Sequence, residues 1–536
     1  MSDFNIIGFK SNRTGNTYNC IDVGSSHEGG FKRVLFAPDR SYAIGVFMRK
    51  PDAGTMARLE ALVGPYRSQL FGSSNKYSND YWSKILFWPY DIVSGVVDGE
   101  MRLGIVMPCC PQNFYFDKDC GYGIKKGQDK TAEIFSDPYK RNKNIIPVEG
   151  TPSAEWRNYF RIALSLASGV SKMHKMGLAH ADLSGKNVLV DPTSGSAAII
   201  DLDGLVVPDK FKAEGEGTPG YIAPEILSTM GRKKRFYPSV YTDRHALSVI
   251  IYQLLLCRHP LEGRINFTGE DDILSSKRQG LHAVFVENPH DKSTRYDFKW
   301  AKDICGVAQK FPYLSPWRDL DKLPYSVLGP YMSEVIEKAF VFGLHAPHDR
   351  PSASVWEMAL EKTIDLLHPC YNPKCISKWF VFDPKKPVCP FCGSRITHPV
   401  PMLKFKRYGT QIDDTTFVAT ERGGRISIPK RLVLWDTGNG TYNGLSCLYP
   451  YHARRVTSRE EMDDYTRDTK LAYVRRLRDK WYIYNRSANS MWVDGKRLPP
   501  PSSASGGRAV GIELRDGMRI QLDGPASRIL EVEMVR

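Results

Sequence analysis

The sequence is poor in cysteine and lacks a long hydrophobic run. Its 536 residues include eleven cysteines, whereas disulfide-stapled secreted scaffolds are small and dense in cysteine. The longest apolar stretch, residues 246–256, is shorter than the roughly 20 residues that a membrane-spanning helix needs. The first residues show neither the basic nor the apolar region of a secretory signal. These absences predict a cytoplasmic protein with reduced thiols and no membrane span.

The sequence also lacks an internal repeat and a concentrated block of charge. No period of roughly 20–50 residues recurs, which excludes a solenoid or propeller array. The formal net charge of +15 is spread along the chain, so it predicts a basic surface and argues against a nucleic-acid partner. A hydrophobic content of 42% is sufficient for packed cores, and the length predicts about three or four domains.

Three stretches differ in their hydrophobic pattern. Residues 1–367 begin with strand-like runs and continue with helical patterns, residues 368–397 carry four cysteines, and residues 398–536 contain short strands broken by turns. This order predicts an α+β fold, in which a two-lobed domain with a cleft precedes a small cysteine module and a β domain. The predicted strands are 31–36, 42–48, 104–107, 431–435, 481–484, 491–494, 519–522 and 530–533, and the predicted helices are 53–63 and 156–174.

The most informative segment is His180-Ala-Asp182-Leu-Ser-Gly-Lys186-Asn187. A carboxylate can orient an attacking hydroxyl, and a neutral oxygen ligand five residues later can reach a metal ion. Asp201 follows two isoleucines and lies fourteen residues after Asn187. The segment resembles the catalytic loop of protein kinases, and Asp201 resembles the metal-binding aspartate of the kinase Asp-Phe-Gly motif.

Further motifs follow in the order and spacing of a protein kinase. Gly217-Thr-Pro-Gly-Tyr-Ile-Ala-Pro-Glu225 is similar to the end of a kinase activation segment. Asp243 precedes an apolar helix, and Arg350 resembles the late arginine that pairs with Glu225 in kinases. The resemblance covers about residues 16–367. It implies a two-lobed kinase fold with a small lobe at 1–110 and a large lobe at 111–367.

The resemblance to protein kinases also implies residue roles. It implies ATP and Mg²⁺ (or Mn²⁺) as cofactors and proteins as substrates. Asp182 takes the catalytic position, Asn187 and Asp201 hold the metal, and Lys186 lies where it can serve the γ-phosphate. Thr218 resembles the signature of Ser/Thr kinases. In protein kinases the segment that corresponds to residues 217–225 docks the peptide substrate. Small-molecule kinases lack this segment, so the resemblance favours a protein kinase.

The small lobe departs from the usual kinase pattern at its phosphate-binding lysine. Gly45 stands where the strand motif Ala-x-Lys has its lysine. The run Gly29-Gly30-Phe-Lys32-Arg-Val resembles the "with no lysine" kinases, which place this lysine on the preceding strand. The resemblance therefore implies that Gly29 and Gly30 cover the phosphates, that Lys32 binds them, and that Glu60 is its ion-pair partner.

Several residues leave alternatives open. In one alternative Lys32 points to solvent, and Arg49, Lys50 or no lysine serves the phosphates. Ala181 replaces the arginine that often docks an activation-loop phosphate. Asp203 stands where the Asp-Phe-Gly motif has its glycine, either as a second metal ligand or as a turn residue. Together with the missing strand lysine, these departures keep a pseudokinase scaffold as the second hypothesis.

The segment between the two lobes predicts the adenine site and a subgroup. Backbone groups around residues 108–110, together with Met107 and Cys109, are expected to meet adenine. Trp88-Pro89 and the following Met-Pro hinge resemble one bacterial kinase group. Those kinases accompany a von Willebrand A protein and a PP2C-type phosphatase in the tellurium-resistance-associated phosphorylation triad, so this resemblance implies both as partners.

Four cysteines form a pair of knuckles. Cys370 and Cys375 are followed after thirteen residues by Cys389-Pro-Phe-Cys392-Gly. Two knuckles at this spacing predict a tetrahedral Zn²⁺ ribbon over 368–397, with four thiolates and no open position. A redox Cys-x-x-Cys is the alternative, but no thioredoxin-like βαβ pattern surrounds the motif.

The last stretch resembles forkhead-associated (FHA) domains. The resemblance rests on residues 479–498 and 514–522 and implies a β-sandwich over 398–536. In FHA domains, loops bind phosphothreonine through an arginine and hydroxyl donors. Here Tyr449 replaces the loop serine, Ser490 replaces a glycine, and Arg425 lies too far upstream. We therefore expect a degenerate FHA-like domain that serves docking or autoregulation.

Overall fold

A computed structural model defines the protein in two compact units. The first contains Met1–Pro147, Ile162–Arg295 and Lys338–Ser354, and the second contains Val148–Arg161, Tyr296–Glu337 and Val355–Arg536. The chain passes between the units more than once, so neither is a continuous segment. The described residues are 6–21, 32–121, 123–138, 140–141, 155–207, 210–211, 217–233, 235–264, 280–304, 315–419, 425–437, 445–453, 460, 462, 469–500 and 510–535.

The first unit combines a small β-barrel with helices and a short hairpin. Its strands are β1 (Ile6–Ser11), β2 (Thr17–Ile21), β3 (Lys32–Phe36), β4 (Tyr42–Phe47), β5 (Asp91–Val97), β6 (Glu100–Pro108), β7 (Val188–Asp191) and β8 (Ser196–Ile199). Its helices are α1 (Ala53–Ala61), α2 (Arg67–Phe71), α3 (Lys76–Ser83), α4 (Ala132–Ser136), α5 (Trp156–Lys175, whose first turns belong to the second unit), α6 (Pro224–Thr229) and α7 (Val240–Leu256).

Six strands close the barrel in the order β1-β2-β3-β4-β6-β5, and β1 pairs with β5 to complete the ring. The patterns at 31–36, 42–48 and 104–107 correctly predicted β3, β4 and β6. β1 and β2 were not predicted, because Phe9, Ser11 and Cys20 are their only buried residues and leave little hydrophobic alternation. Phe9 and Cys20 from these strands still enter the barrel core with Leu35, Ile44 and Val106.

The helix after β4 is interrupted. Asp52 caps the start of α1 by accepting a hydrogen bond from the Thr55 amide at 2.7 Å. A π-helical turn, Leu62–Tyr66, follows α1 because Pro65 has no amide hydrogen to donate. The indole of Trp88 donates to the Leu62 carbonyl at 2.9 Å, which satisfies an acceptor inside the break.

The central helix of the first unit is α7, which contains the long apolar stretch. Ser239 caps it, and the Ser239 amide in turn donates to Thr242 Oγ1 at 2.9 Å. Most α7 side chains are buried, so the apolar run forms core. Among the described residues, no helix has the length and apolarity to cross a membrane.

The second unit contains short helices, a small hairpin and a two-sheet β domain. The helices are α8 (Phe298–Ile304), α9 (Gly329–Glu337), α10 (Ala353–Ile364) and α11 (Pro450–Ala453). The strands are β9 (Leu367–Pro369), β10 (Trp379–Val381), β11 (Val400–Phe405), β12 (Thr415–Ala419), β13 (Arg425–Pro429), β14 (Arg431–Val433), β15 (Cys447–Leu448), β16 (Ala472–Leu477), β17 (Lys480–Asn485), β18 (Met491–Val493), β19 (Lys496–Leu498), β20 (Gly511–Glu513), β21 (Arg519–Gln521) and β22 (Leu530–Val535).

Two sheets of the β domain face each other across one core. The larger sheet has the order β14-β11-β22-β21-β18-β19, and the smaller has the order β15-β16-β17-β20. Leu403 and Val532 of the larger sheet and Val474 and Ile483 of the smaller sheet are buried in the same cluster. The strands predicted at 431–435, 481–484, 491–494, 519–522 and 530–533 correspond to β14, β17, β18, β21 and β22.

Candidate active site

The β7–β8 hairpin brings the two predicted metal ligands together. Asn187 precedes β7, Asp201 follows β8, and Val188 pairs with Ile199 across the hairpin. The Ile200 amide donates to the Asn187 carbonyl at 3.1 Å. The two candidate ligand side chains therefore start from neighbouring backbone positions, although they are distant in the sequence.

A buried aspartate of α7 holds the loop that precedes this hairpin. The Asp243 carboxylate accepts hydrogen bonds from the amides of His180 (2.7 Å) and Ala181 (3.1 Å) and lies 3.1 Å from His174 Nε2. Ala181 has a φ of 70°, a left-handed conformation that costs roughly 1–2 kcal/mol for an L-residue. The hydrogen bonds to Asp243 offset this strain and fix the direction of Asp182.

Two neighbours hold Asp182, one through its carboxylate and one through its backbone carbonyl. The Thr218 hydroxyl donates to Asp182 Oδ1 at 2.7 Å, and Asn187 Nδ2 donates to the Asp182 carbonyl oxygen at 2.8 Å. The structure thus brings together the predicted catalytic aspartate, one predicted metal ligand and the threonine of the Gly-Thr-Pro segment. Such an arrangement can orient a hydroxyl group for attack.

Lys32 on β3 reaches the aspartates that follow β8. Its ammonium lies 2.8 Å from Asp201 Oδ1 and 2.7 and 2.8 Å from the two carboxylate oxygens of Asp203. Desolvation would raise the pKa of Asp201, but the Lys32 ammonium outweighs it and holds that pKa below its ordinary value. Both aspartates raise the pKa of Lys32 against the effect of burial, so Lys32 is a charged ammonium.

Gly45 lies beside the Lys32 side chain. Gly45 lies on β4 directly opposite Val34 of β3. A Cβ atom at Gly45 would lie 3.7 Å from Cδ of Lys32 and 3.2 Å from Cε of Met107. The stem of Lys32 therefore passes beside the position where the kinase strand motif carries its lysine. Arg49 and Lys50, the alternative cations, are exposed.

The expected ion pair between Lys32 and Glu60 is corrected by the structure. Glu60 is exposed on α1, whose buried face carries Thr55, Arg58 and Leu59. The next residue on this helix lies about 100° around the axis, so burial of Leu59 turns Glu60 away. Lys32 makes its ion pairs with Asp201 and Asp203 instead.

The other residues predicted to bind the nucleotide differ in how far they are exposed to solvent. Lys186 is exposed, and Gly29 and Gly30 lie outside the described residues. Met107 is part of β6, and Cys109 follows that strand; both are half-buried. Burial raises the pKa of the Cys109 thiol to about 11, so this cysteine is a neutral thiol at pH 7.

A pocket opens beside Asp182 and Thr218. Tyr221, Ile222 and Pro238 complete its wall, together with the first turns of α7. Its lining joins the candidate catalytic carboxylate to the segment that resembles a peptide-docking loop.

Two side chains anchor the segment that forms this pocket. Arg350 makes a two-pronged ion pair with Glu225, with nitrogen–oxygen distances of 2.8 and 2.7 Å, as the sequence predicted. His259 accepts the Leu261 amide at Nδ1 (3.1 Å), so its Nε2 carries the proton and donates to the Gly220 carbonyl at 2.8 Å. Nothing in the sequence motifs indicated the His259 contact.

The four predicted zinc ligands converge in the second unit. The Cys370 and Cys392 sulfur atoms are 3.5 Å apart, those of Cys375 and Cys389 are 3.7 Å apart, and all four lie within 4.8 Å of one another. A tetrahedral zinc–thiolate site has sulfur atoms about 3.8 Å apart, given a bond length of about 2.3 Å. The donor set therefore fits Zn²⁺.

Aromatic side chains surround this cysteine cluster. Phe391 lies between two cysteine ligands in sequence, and its ring is 4.8 Å from the Trp156 ring and 5.1 Å from the Trp317 ring. Trp379 of β10 packs edge-on against Trp435 at 4.9 Å. These contacts connect the cysteine-bearing segment to α5 and to the β domain within the second unit. The cluster is therefore expected to stabilise these neighbouring elements as well as its own loops.

Comparison with known families identifies a protein kinase domain in this chain. The protein kinase domain family matches residues 143–327. This match covers the catalytic loop, the Asp201 region and the segment ending at Glu225, and together with the structure it confirms the predicted protein-kinase-like fold. The chain therefore carries a protein kinase domain.

Curated relatives are also kinases, at low identity. The chain is 24% identical over 194 residues to a calcium/calmodulin-regulated receptor-like kinase of Arabidopsis thaliana, which covers 35% of this chain and 42% of that protein. It is 31% identical over 118 residues to a putative CBL-interacting protein kinase of rice, Oryza sativa subsp. japonica, with 21% of each protein covered. The chain spans less than half the length of either relative.

Among solved structures, the chain is similar to a rhoptry kinase from Toxoplasma gondii. The TM-score is 0.38 at 12% sequence identity, and the match covers 68% of this chain and 88% of that one.

Proposed function

We propose that this protein is an ATP-dependent protein kinase that transfers the γ-phosphoryl group to serine or threonine residues of proteins, including its own chain. The observation that carries the proposal is the hydrogen bond between the Thr218 hydroxyl and Asp182 Oδ1. This bond connects the segment 217–225, which resembles the peptide-docking segment of kinases, to the candidate catalytic carboxylate. A bound substrate chain would therefore lie next to Asp182.

Each polar side chain of the site has a role in this reaction. Asp182 accepts a hydrogen bond from the attacking hydroxyl and orients it. Asn187 and Asp201 would hold Mg²⁺ or Mn²⁺, which when bound neutralises phosphate charge. Lys32 provides the cation for the phosphates, and Lys186, which is exposed four residues after Asp182, would serve the γ-phosphate. Backbone groups after β6, near Met107 and Cys109, would meet the adenine edge.

The test of this proposal is phosphoryl transfer by the full chain. Radiolabelled ATP with Mg²⁺ or Mn²⁺ should label the protein itself or a generic protein acceptor, and hydrolysis of the product should release phosphoserine or phosphothreonine. Label confined to phosphotyrosine would contradict the Ser/Thr assignment. A complete lack of labelling under both metals would refute the kinase reaction.

A lysine exchange tests the role of Lys32. Lys32→Ala should lower kcat/KM for ATP by about a hundredfold, because a preorganised cation at the phosphates is removed. Adding Gly45→Lys to this variant should restore part of the activity, since Gly45 adjoins the Lys32 stem. Lys50→Ala is the matched control and should leave kcat/KM unchanged. Loss of activity in Lys50→Ala with full activity in Lys32→Ala would reverse the assignment.

A pseudokinase scaffold is the second candidate function. The observation that favours it is the engagement of the Lys32 ammonium by Asp201 and Asp203 at 2.7–2.8 Å, which occupies both a metal ligand and the phosphate-binding cation. A scaffold of this kind would bind nucleotide without turnover. Nucleotide binding by calorimetry, with no phosphate transfer in the assay above, would favour this second function.

The second unit supports a docking role. We propose that Cys370, Cys375, Cys389 and Cys392 bind one structural Zn²⁺, and that residues 398–536 form an FHA-like domain. His452 is buried and accepts the Tyr449 amide at 3.0 Å through Nδ1, so its ring supports the loop in which tyrosine has replaced serine. This supports docking or autoregulation by the domain in preference to phosphothreonine binding.

The proposed setting is a bacterial stress-signalling system. The Trp88-Pro89 and Met-Pro motifs support membership of the tellurium-resistance-associated triad, with a PP2C-type phosphatase and a von Willebrand A protein as partners. A four-thiolate zinc site requires reduced cysteines, which supports a location in the cytoplasm. Co-purification with such a phosphatase and von Willebrand A protein, encoded by neighbouring genes, would test the setting.

A further inference from the structure

Asp203 differs from Asp201 in burial and in the use of its carboxylate. Asp203 lies in the short 3₁₀ turn Leu202–Gly204 and is only 4% exposed. Both of its carboxylate oxygens lie within hydrogen-bond distance of Lys32 Nζ. The Asp201 side chain, in contrast, is 44% exposed and contributes one oxygen to the same ammonium. Asp201 thus keeps an accessible oxygen, whereas both Asp203 oxygens are engaged.

The geometry points to a positioning role for Asp203. We propose that Asp203 holds Lys32 in the phosphate-binding position and thereby replaces the helix glutamate that kinases use for this purpose. A carboxylate buried without a partner is strongly unfavourable, so Lys32 and Asp203 depend on each other. The inference rests on the proposed function, because it assigns Lys32 to the phosphates of ATP.

In this arrangement the residue that anchors Lys32 does not belong to helix α1. Asp201 and Asp203 lie two residues apart in the segment that follows β8, so the candidate metal ligand and the lysine anchor belong to one short segment. Glu60 is exposed and takes no part in the pair. Displacement of α1, which breaks the lysine–glutamate pair in kinases that depend on it, would leave the Lys32–Asp203 pair intact here.

The alternative role for Asp203 is that of a second metal ligand. It fits the contacts less well, because a ligand oxygen must face an open position for the metal and its waters. Both oxygens of Asp203 face the ammonium, and Asp203 itself is almost completely buried. The two roles predict different responses to metal concentration, which makes them separable by experiment.

Single substitutions provide the first test. Asp203→Asn should lower kcat/KM for ATP by about a hundredfold, as expected for a misplaced catalytic-site cation, with most of the change in KM. The concentration of Mg²⁺ that gives half-maximal activity should not change. Asp80→Asn removes an exposed aspartate from a surface ion pair with Lys84 and is the matched control. A large loss in Glu60→Gln with full activity in Asp203→Asn would overturn the inference.

A double-mutant cycle provides the second test and does not require kinase activity. Lys32→Met should lower the melting temperature because the Asp203 carboxylate loses its partner, and adding Asp203→Asn should recover most of that loss. In nucleotide-binding measurements, Asp203→Asn should have no further effect in the Lys32→Met background. Additive losses in melting temperature would overturn the pairing. If Asp203→Asn instead raised the Mg²⁺ concentration needed for nucleotide binding in both the wild-type and the Lys32→Met backgrounds, Asp203 would be assigned to the metal.

The two tests separate the inference from the proposed function. If the wild-type protein transfers no phosphate but the melting temperatures are non-additive, the kinase reaction fails and the Lys32–Asp203 pair stands. If the wild-type protein is an active kinase and Asp203→Asn retains full activity, the reaction stands and the positioning role fails.

Discussion

Asp182→Ala is expected to lower the rate of phosphoryl transfer by about a thousandfold or more, within the range found for the loss of a positioned acid–base group. Asp182 Oδ1 accepts a hydrogen bond from the Thr218 hydroxyl at 2.7 Å, whereas Oδ2 accepts only a long one from Asn187 Nδ2 at 3.5 Å, so Oδ2 can orient the attacking hydroxyl. The substitution removes that acceptor and leaves the backbone hydrogen bonds of the loop to Asp243 in place. Transfer of radiolabel from ATP, measured in single-turnover conditions, reports the change.

Controls distinguish a chemical role of Asp182 from a structural one. Asp182→Asn preserves the shape of the side chain and should be nearly as inactive as Asp182→Ala, since an amide is a poor proton acceptor. Nucleotide affinity and melting temperature should match those of the wild type. Asp80→Ala, at an exposed position on α3, should retain full activity. If Asp182→Asn transferred phosphate at the wild-type rate, the role of Asp182 would be refuted.

Cys389→Ser is expected to abolish stable folding of the second unit through loss of its metal. Cys389 is fully buried, and its sulfur lies 3.7 Å from that of Cys375. Structural zinc sites bind with on the order of 10 kcal/mol of free energy, which becomes folding free energy. Elemental analysis should find one zinc per wild-type chain and none in the variant, and a strong chelator should reproduce the loss of thermal stability.

Cys447→Ser is the matched control for this zinc prediction. Cys447 is a half-buried cysteine of β15 in the same unit, outside the cluster of four sulfur atoms. Its replacement should change neither the zinc content nor the melting temperature by more than a small amount. Equal stability of Cys389→Ser and wild type, with no zinc in either, would contradict a structural zinc site.

Short sequence motifs were sufficient to predict many residues of the candidate site. Asp182, Asn187 and Asp201 were predicted from motifs that resemble those of protein kinases, and the structure brings them together around the β7–β8 hairpin. The Glu225–Arg350 pair was likewise predicted, because each partner lies in a motif of its own. Such residues are recognisable because the chemistry demands particular side chains at short, constant separations.

Sequence motifs did not predict how α1 is rotated about its axis or how the β-barrel closes. A helix at 53–63 was predicted and α1 forms at Ala53–Ala61, yet Glu60 faces solvent. The rotation of a helix about its axis depends on which side chains the core accepts, and here the core accepts Leu59 and Arg58. The closure of the barrel by β1 was missed for a similar reason, since its pairing with β5 depends on strands far apart in the chain.

The amino-acid pattern is therefore enough to identify a kinase-like catalytic loop, a four-cysteine cluster and a β-rich end, because each depends on local spacing or periodicity. The pairing of Lys32 depends instead on contacts across the fold. Gly45 lies beside its stem, and the turn after β8 presents Asp203 to its ammonium. A buried charge is unfavourable without an opposite charge beside it, and only the tertiary structure brings Lys32 of β3 to Asp203 in the turn after β8.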